Sequence, residues 1–180
     1  MTIIWVVKED FMKKTVIIVC VLLCVLLLAV SAYLFTPKSL EAGLANYSRI
    51  IMNPPDGLRL KIYFIAPHIL TRFPLSVEKL MTLDDVNTVV VEAEELAKHS
   101  ALLGKLNASA ITPVDNDSYI DARLYYVFER DNGRPILEVI VNGRNEAYFV
   151  NGYEVEPTPL IYEIITPFLS DEDRAVLGIE

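Results

Sequence analysis

The region from Tyr119 to Glu156 alternates between short apolar runs and Asn-Gly pairs, a pattern that predicts four β-strands folded into a meander. Glycine adopts positive φ angles freely, and asparagine does so more readily than most residues, so an Asn-Gly pair favours a hairpin turn. The three pairs are Asn132-Gly133, Asn142-Gly143 and Asn151-Gly152. Together with the elements predicted elsewhere, this gives an α+β fold class, with an antiparallel sheet of five or six strands packed with helices.

The register of the meander follows from the rule that opposed side chains share a face of the sheet. Matching apolar residues across each bend predicts a two-residue turn at the first, a bulged three-residue loop at the second and a two-residue turn at the third. The predicted opposed pairs are Phe128 with Leu137, Tyr126 with Val139 and Leu124 with Val141 at the first bend, Val139 with Ala147 and Leu137 with Phe149 at the second, and Val150 with Tyr153 and Tyr148 with Val155 at the third.

The opposite face of the predicted meander also carries apolar and aromatic side chains, and this leaves two alternatives. Either a helix or a loop covers that face, or the face is an exposed apolar patch that binds a partner. On the second alternative, we predict an interaction surface formed by Tyr125, Val127, Ile136, Ile140, Tyr148 and Tyr153.

Further elements are predicted from the spacing of apolar residues and from capping residues. Ser39 and Ser76 stand at N-cap positions, and Ser170 with Asp173 gives the capping-box pattern of a short final helix. Pro167 is expected to end or kink the helix in which it lies. The other predicted helices span 39–51, 76–81, 94–107 and 160–168, and the other predicted strands span 58–64 and 86–92.

Residues 15–35 contain no charged side chain and predict a membrane-targeting segment. As a helix rising 1.5 Å per residue, this segment reaches roughly 31 Å, about the thickness of the apolar part of a bilayer. Lys8, Lys13 and Lys14 precede it and favour a cytoplasmic N-terminus with the body outside. We expect an uncleaved single-pass anchor of bacterial type. The alternative is a cleaved leader, because residues 30–32 are small enough for cleavage.

The predicted organisation has four parts. They are a cytoplasmic N-terminus, the membrane segment, a juxtamembrane helix with its linker, and an extracytoplasmic α+β domain. A proline-rich run that ends in Asp56-Gly57 must break the juxtamembrane helix, and it marks the start of the domain. The four parts span residues 1–14, 15–35, 36–55 and 56–180.

Charge and cysteine content narrow the classes of partner. The chain has a net charge of −8, and residues 36–180 contain 13 Lys and Arg against 22 Asp and Glu. An acidic body argues against a nucleic-acid partner and is repelled by anionic lipid headgroups. Cys20 and Cys24 both lie in the apolar segment, so the body holds no disulfide and no thiol chemistry.

Reactive residue types occur, but not in the arrangements that catalysis requires. Ser76 and Lys79 have the Ser-x-x-Lys spacing of penicillin-interacting serine enzymes, yet the companion Ser-x-Asn and Lys-Thr-Gly elements are missing. His68 and His99 are the only histidines, and no motif accompanies them that would complete a catalytic triad or a zinc site. We therefore predict no catalytic residue.

An acidic loop begins like a calcium-binding loop and then departs from that pattern. Asp115, Asp117 and Asp121 have the spacing of the first ligands, but Ile120 replaces the required glycine and Tyr126 stands where a bidentate glutamate is needed. There is no glycine-rich phosphate loop either. We therefore predict no metal-binding or cofactor-binding residue.

These features favour a non-enzymatic interaction or structural module in the cell envelope. Its expected partners are the membrane, through residues 15–35, and a protein of the envelope. The alternative is a small secreted ligand-binding protein or enzyme with a cavity between sheet and helices. A third interpretation is a structural subunit of an envelope complex that depends on its neighbour for stability.

Overall fold

The computed structural model describes residues 39–179, except for residues 68, 70, 116, 117 and 144–146. The described residues belong to one compact unit, Ser39–Glu180. The predicted cytoplasmic N-terminus and membrane segment, residues 1–35, lie outside the described residues. Within the part of the chain that is described, no helix combines the length and the apolar character that a membrane span needs.

Six strands form one antiparallel sheet, and this confirms the predicted α+β class. The strands are β1 Arg59–Phe64, β2 Asn87–Glu92, β3 Ala122–Glu129, β4 Pro135–Asn142, β5 Tyr148–Val150 and β6 Tyr153–Val155. Their order across the sheet is β2-β1-β3-β4-β5-β6. The last four strands are the predicted meander, and the antiparallel pair of β1 and β2 extends the sheet beyond β3.

The helices are short, and several begin at the predicted capping residues. They are α1 Leu40–Ile51, α2 Val77–Met81, α3 Ala93–Lys98, α4 Ser100–Leu103, α5 Leu160–Glu163 and α6 Asp171–Leu177, with a 3₁₀ turn over Thr166–Phe168. Ser39 and Ser76 accept backbone N–H bonds at the starts of α1 and α2. Ser170 and Asp173 form the predicted capping box at the start of α6. These caps satisfy N–H groups that the first turn of a helix leaves without partners.

The main core lies between one face of the sheet and the helices, and α1 is part of it. Leu44, Tyr47 and Ile51 of α1 are almost fully buried. The Tyr47 ring packs edge-on against the Phe128 ring of β3, with ring centroids 5.0 Å apart. The compact unit therefore includes the helix that the sequence analysis placed in the juxtamembrane part, residues 36–55.

Two predicted helices are interrupted. The helix predicted over 94–107 divides at His99, whose φ of −108° and ψ of 11° end α3 before α4 begins. The helix predicted over 160–168 ends after α5, and Pro167 lies in the 3₁₀ turn that follows. Proline has no N–H to donate and clashes with the preceding turn of a helix, so the second interruption is the one that the sequence predicts.

The predicted register is confirmed across the first and third bends. All three predicted pairs between β3 and β4 are present, and so are both predicted pairs between β5 and β6. The first turn itself differs, because the Arg130 N–H donates to the Arg134 carbonyl at 3.1 Å and a bulge follows Phe128. At the third bend Asn151 and Gly152 both have positive φ, as a two-residue primed turn requires.

The predicted register is wrong at the second bend. The observed opposed pairs are Val139 with Val150, Ile140 with Phe149 and Val141 with Tyr148. The Asn142 N–H donates to the Ala147 carbonyl at 3.0 Å, so the loop is longer than the predicted one. Val139 opposes Val150 instead of Ala147, and an odd shift of this kind exchanges the faces of β5. Tyr148 consequently faces the main core, and Phe149 faces the other side of the sheet.

Two buried tyrosines are expected to make the fold sensitive to alkaline pH. The Tyr47 hydroxyl donates to the Leu103 carbonyl at 3.2 Å, and the Tyr126 hydroxyl donates to the Ile161 carbonyl at 3.1 Å. Burial raises the pKa of both hydroxyls well above the usual value of 10.0. The unfolded chain ionises these groups above pH 10 and the folded chain does not. The contribution of these two hydroxyls to the free energy of unfolding is therefore fully present below pH 10. Above pH 10 it falls by about 1.4 kcal/mol per pH unit for each tyrosine.

Urea unfolding at a series of pH values from neutral to strongly alkaline tests this expectation. Tyrosinate absorbance recorded in the same samples should show that the two groups ionise only as the chain unfolds. A free energy of unfolding that stays constant above pH 10 would contradict the burial of these hydroxyls.

Candidate functional site

The chain between β1 and α2, together with α2, covers part of the sheet face opposite the main core. We call this face the second face. Ile65, Leu75 and Leu80 of the covering segment are buried there. The strand residues beneath them are Ala122, Tyr125, Val127, Ile140 and Phe149. This second apolar cluster places an irregular segment firmly on the sheet.

A buried polar cluster lies at one end of the second face, where β3 begins and β4 ends. In the described part of the chain, its members Asp121, Arg123 and Asn142 are the polar residues that are almost inaccessible, with 1%, 2% and 4% of their surface exposed. The Arg123 Nη2 lies 3.1 Å from each carboxylate oxygen of Asp121. Charges removed from water in this way need hydrogen bonds as well as a counter-charge.

The hydrogen bonds of the cluster join two segments that are far apart in the sequence. Asp121 Oδ1 accepts the Leu75 N–H at 3.0 Å, and the Ala122 N–H donates to the Leu75 carbonyl at 2.9 Å. Arg123 Nη2 also donates to Thr71 Oγ1 at 3.0 Å. The loop before α2 is therefore fixed against the start of β3.

The second Asn-Gly pair completes this cluster from the side of β4. Asn142 Oδ1 accepts the Asp121 N–H at 2.9 Å, and its Nδ2 donates to the Tyr119 carbonyl at 2.7 Å. The Gly143 N–H donates to the Asp121 carbonyl at 3.1 Å. Asn142 and Gly143 both hydrogen-bond to Asp121 of the polar cluster, which explains why they do not form the tight turn that the sequence predicted.

Gly143 lies so close to Arg123 that a larger residue does not fit. A Cβ atom at position 143 would lie 2.6 Å from Arg123 Cγ and 2.9 Å from Nε. We expect Gly143→Ala to lower the free energy of unfolding by about 1–3 kcal/mol through overpacking. Gly104→Ala is the matched control, because Gly104 has a helical φ of −66° and a Cβ there meets no atom closer than 3.2 Å. Equal effects of the two substitutions, measured by urea unfolding, would contradict the packing of Gly143 on Arg123.

Four large apolar side chains are exposed on the two segments that the polar cluster joins. Ile69 and Phe73 precede α2, and Tyr119 and Ile120 precede β3, with exposures of 42%, 69%, 53% and 40%. We call these four residues the loop patch. The Arg72 guanidinium lies over the Phe73 ring, 5.4 Å from its centroid. The bonds from Leu75 to Asp121 and from Thr71 to Arg123 bring the two segments that carry these side chains together. Exposed apolar patches are typical of interaction sites.

The six residues that the sequence predicted as an interaction surface do not form one surface. Tyr125, Val127 and Ile140 lie on the second face, at most 9% exposed, in the cluster beneath the covering segment. For these three residues the alternative of a covering loop and helix is confirmed. The other three are partly buried against the main core, and they are Ile136, Tyr148 and Tyr153.

Ser76 and His99, which the sequence analysis considered as candidate catalytic residues, have structural contacts. Ser76 caps α2 by accepting the Lys79 N–H at 3.2 Å, and both residues are exposed. The His99 ring packs edge-on against Phe168, and its Nε2 lies 3.5 Å from a Glu95 carboxylate oxygen. His68 lies outside the described residues, so it is not placed relative to the others.

Among the residues that the structure describes, the acidic side chains are likewise not assembled into a metal site. Asp121 is paired with Arg123, and Asp117 lies outside the described residues. Across residues 39–179, apart from the gaps named above, no group of three His, Cys, Asp or Glu side chains could hold a metal ion.

An open groove of about 830 Å³ lies among the helices. It is lined by residues of α4, α5, the 3₁₀ turn and α6 with the adjoining turns, including Leu102, Tyr162 and Leu177. Glu163 and Arg174 place charges in it. Its lining includes no strand residue, so this groove differs from the cavity between sheet and helices that the alternative function requires.

Reasoning from the sequence missed both the polar cluster and the loop patch. One signal was present, since Asp121 and Arg123 are alternate residues and alternate residues of a strand share a face. That face continues through Tyr125 and Val127, so two opposite charges at its start indicate a buried ion pair. The residues of the loop patch gave no comparable signal, because their segments have no periodic pattern.

Comparison with protein-family models, with curated proteins and with solved structures gave no significant match.

Proposed function

We propose that this chain is a membrane-anchored, extracytoplasmic protein-interaction module and that the loop patch is its binding surface. The observation that supports this most directly is the exposure of Phe73, 69% accessible on a loop that the polar cluster fixes in place. An aromatic ring in that position contributes little to the core. It is suited to insertion into a pocket of a partner, as are the aromatic residues that dominate many interfaces.

The polar cluster supports this function because it gives the loop patch a defined shape before a partner binds. A loop whose backbone is already hydrogen-bonded loses less conformational entropy on association than a free loop does. Buried ion pairs add little net stability compared with apolar residues of the same size. We infer that the value of the Asp121–Arg123 pair lies in holding Thr71 and Leu75 in position on either side of Phe73.

Charge favours a protein over a lipid surface as the partner of the loop patch. The chain has a net charge of −8. Anionic headgroups repel an acidic domain, so apolar side chains alone would have to drive any insertion into such a membrane. The membrane contact in this proposal is made by residues 15–35 instead.

The proposed membrane topology has a direct test. Alkaline phosphatase fused after Glu180 should be active in intact bacterial cells, because the body is expected outside and this reporter folds only there. The same fusion lacking residues 15–35 is the control and should be inactive. A fluorescent reporter that matures only in the cytosol should remain dark at the same position, and a bright signal from it would contradict the topology.

Loss of Phe73 is expected to remove partner binding without loss of stability. We expect Phe73→Ser to reduce the amount of partner that co-purifies from crosslinked membranes by about tenfold or more, as for an interface residue that contributes above 1.4 kcal/mol. Met52→Ser is the matched control, because Met52 is 57% exposed just after α1 and outside the loop patch. Equal recovery from both variants would contradict the assignment of the surface.

A further inference from the structure

The two edges of the sheet differ in how far they are protected from pairing with another strand. The β6 edge is three residues long and is covered by residues 112–114 of the loop before β3, since the Val114 N–H donates to the Glu154 carbonyl at 3.0 Å and the Glu156 N–H donates to the Thr112 carbonyl at 2.9 Å. The β2 edge is six residues long, and its register with β1 runs without a bulge. An unprotected edge strand can pair with a strand of another chain, and native proteins usually block such pairing. The β2 edge therefore needs an explanation, since the β6 edge is protected.

The hydrogen-bonding pattern of the sheet shows which groups of β2 face outward. The Ile65 N–H, directly after β1, donates to the Arg123 carbonyl of β3 at 3.0 Å. Odd-numbered residues of β1 therefore direct their backbone groups toward β3, and even-numbered ones direct theirs toward β2. The even-numbered residues of β1 oppose the odd-numbered residues of β2. Thr88 and Val90 consequently present their N–H and carbonyl groups away from the sheet.

The sequence of β2 lacks the usual protection of an edge strand. It contains no lysine and no proline, and three consecutive valines give it strong β propensity. Val90 is 51% exposed, and no backbone bond from elsewhere in the described chain reaches Thr88 or Val90. A free edge of this kind is the template for strand addition, in which backbone groups bind an extended segment and alternate side chains select it.

Acidic residues stand at both ends of this edge. Asp84 and Asp85 precede β2, and Glu92, Glu94 and Glu95 lie at its end and in the first turn of α3. Nearby cations compensate only part of this negative charge. Arg59 forms an ion pair with Glu92, and Lys98 forms one with Glu95. We propose that β2 binds an extended segment of another protein, with basic residues at both ends, as a seventh strand of the sheet. This site is separate from the loop patch, and it goes beyond the proposed function.

A second copy of this chain is a poorer occupant of the same edge. Antiparallel pairing of two β2 strands brings the start of β2 in each copy next to the end of β2 in the other. The acidic turn of Asp84 and Asp85 in one copy is then near the acidic first turn of α3 in the other. Like charges brought together in this way repel one another, which opposes self-association and favours a basic partner.

The test uses the full chain in a neutral detergent and a synthetic peptide that alternates valine and threonine between two lysines at each end. We expect the peptide to bind and to slow amide hydrogen exchange at Thr88 and Val90 by about tenfold or more. A peptide with glutamates in place of the lysines should bind at least about tenfold more weakly, because it meets the acids at both ends of the edge.

Proline variants distinguish loss of peptide binding at the β2 edge from loss of the folded structure. Val90→Pro removes an outward N–H and keeps the bonds to β1, so it should retain the folded spectrum and lose the peptide. Val89→Pro removes an N–H that bonds to β1 and should lose the slow amide exchange of the β1–β2 strand pair. If Val90→Pro does not fold, Val90→Lys keeps the backbone and places a like charge against the basic peptide, which should then bind at least about tenfold more weakly.

Three results would overturn the proposal. They are equal binding of the basic peptide by the parent chain and the position-90 variants, equal binding of the basic and acidic peptides, and a dimer of the parent chain that Val90→Pro abolishes. Phe73→Ser should bind the peptide as the parent does, so failure of this proposal is distinguishable from failure of the loop patch.

Discussion

Replacing Asp121 with alanine is expected to lower the free energy of unfolding by about 3–5 kcal/mol, because it leaves Arg123 buried without its counter-charge. The same substitution removes the acceptor of the buried Leu75 N–H. A buried donor without a partner adds to the loss, because its desolvation is no longer offset. Urea unfolding of the parent and the variant measures the difference.

Glu92→Ala is the matched control for this substitution. It also removes a carboxylate that lies 3.1 Å from an arginine, but the side chains of Arg59 and Glu92 are 39% and 63% exposed. An exposed pair is screened by water, so the expected loss is below about 1 kcal/mol. Similar losses for Asp121→Ala and Glu92→Ala would contradict the claim that the Asp121–Arg123 pair depends on burial.

Phe128→Ala is expected to cost about 3–5 kcal/mol, which is the range for truncation of a buried phenylalanine. Phe128 is fully buried and contacts two other rings edge-on, Tyr47 at 5.0 Å and Tyr126 at 6.4 Å between centroids. Its loss leaves a cavity where α1 packs on the sheet. Urea unfolding measures the cost, and faster amide exchange in α1 would show where the contact is lost.

Phe73→Ala provides the comparison, because it removes the same ring from the surface. With the Phe73 side chain mostly in water, the expected change in stability is within about 0.5 kcal/mol. The effects on partner binding should be reversed. Phe73→Ala should lose the partner, whereas the folded fraction of Phe128→Ala should still bind it. A large destabilisation by Phe73→Ala would contradict its exposure.

The sequence was sufficient where local rules decide the structure. Ser39, Ser76 and Ser170 begin helices because a hydroxyl oxygen accepts a free N–H of the first turn. Asn151 and Gly152 form the predicted turn because both adopt positive φ. The alternating side chains of β3 set its register with β4 correctly. All of these depend on residues close together in the chain.

Reasoning from local pattern failed at the second bend because distant residues decide the conformation there. Asn142 is held by the Asp121 N–H and the Tyr119 carbonyl, and Gly143 packs against Arg123. These contacts override the turn preference of the Asn-Gly pair, move the bend into a longer loop and exchange the faces of β5. As a result, Tyr148 and Tyr153 lie on the face of the main core, although the sequence analysis had placed them on the same face as Tyr125.

The loop patch was beyond prediction for a related reason. Its position depends on bonds from Asp121 to Leu75 and from Arg123 to Thr71, which join residues 46 and 52 positions apart. No periodic pattern in the covering segment indicates that it lies on the sheet. Exposure of Phe73 is therefore a property of the folded chain and was not a property of any short stretch of sequence.

Photo-crosslinking from position 73 in intact cells tests the central claim most directly. A benzophenone amino acid in place of Phe73 should form a crosslinked product with one protein of the cell envelope, and the same amino acid in place of Met52 should not. The product should also be lost when Asp121→Ala is introduced, because the loop is then no longer fixed. Crosslinks to lipid alone, or the same products from positions 52 and 73, would contradict the account.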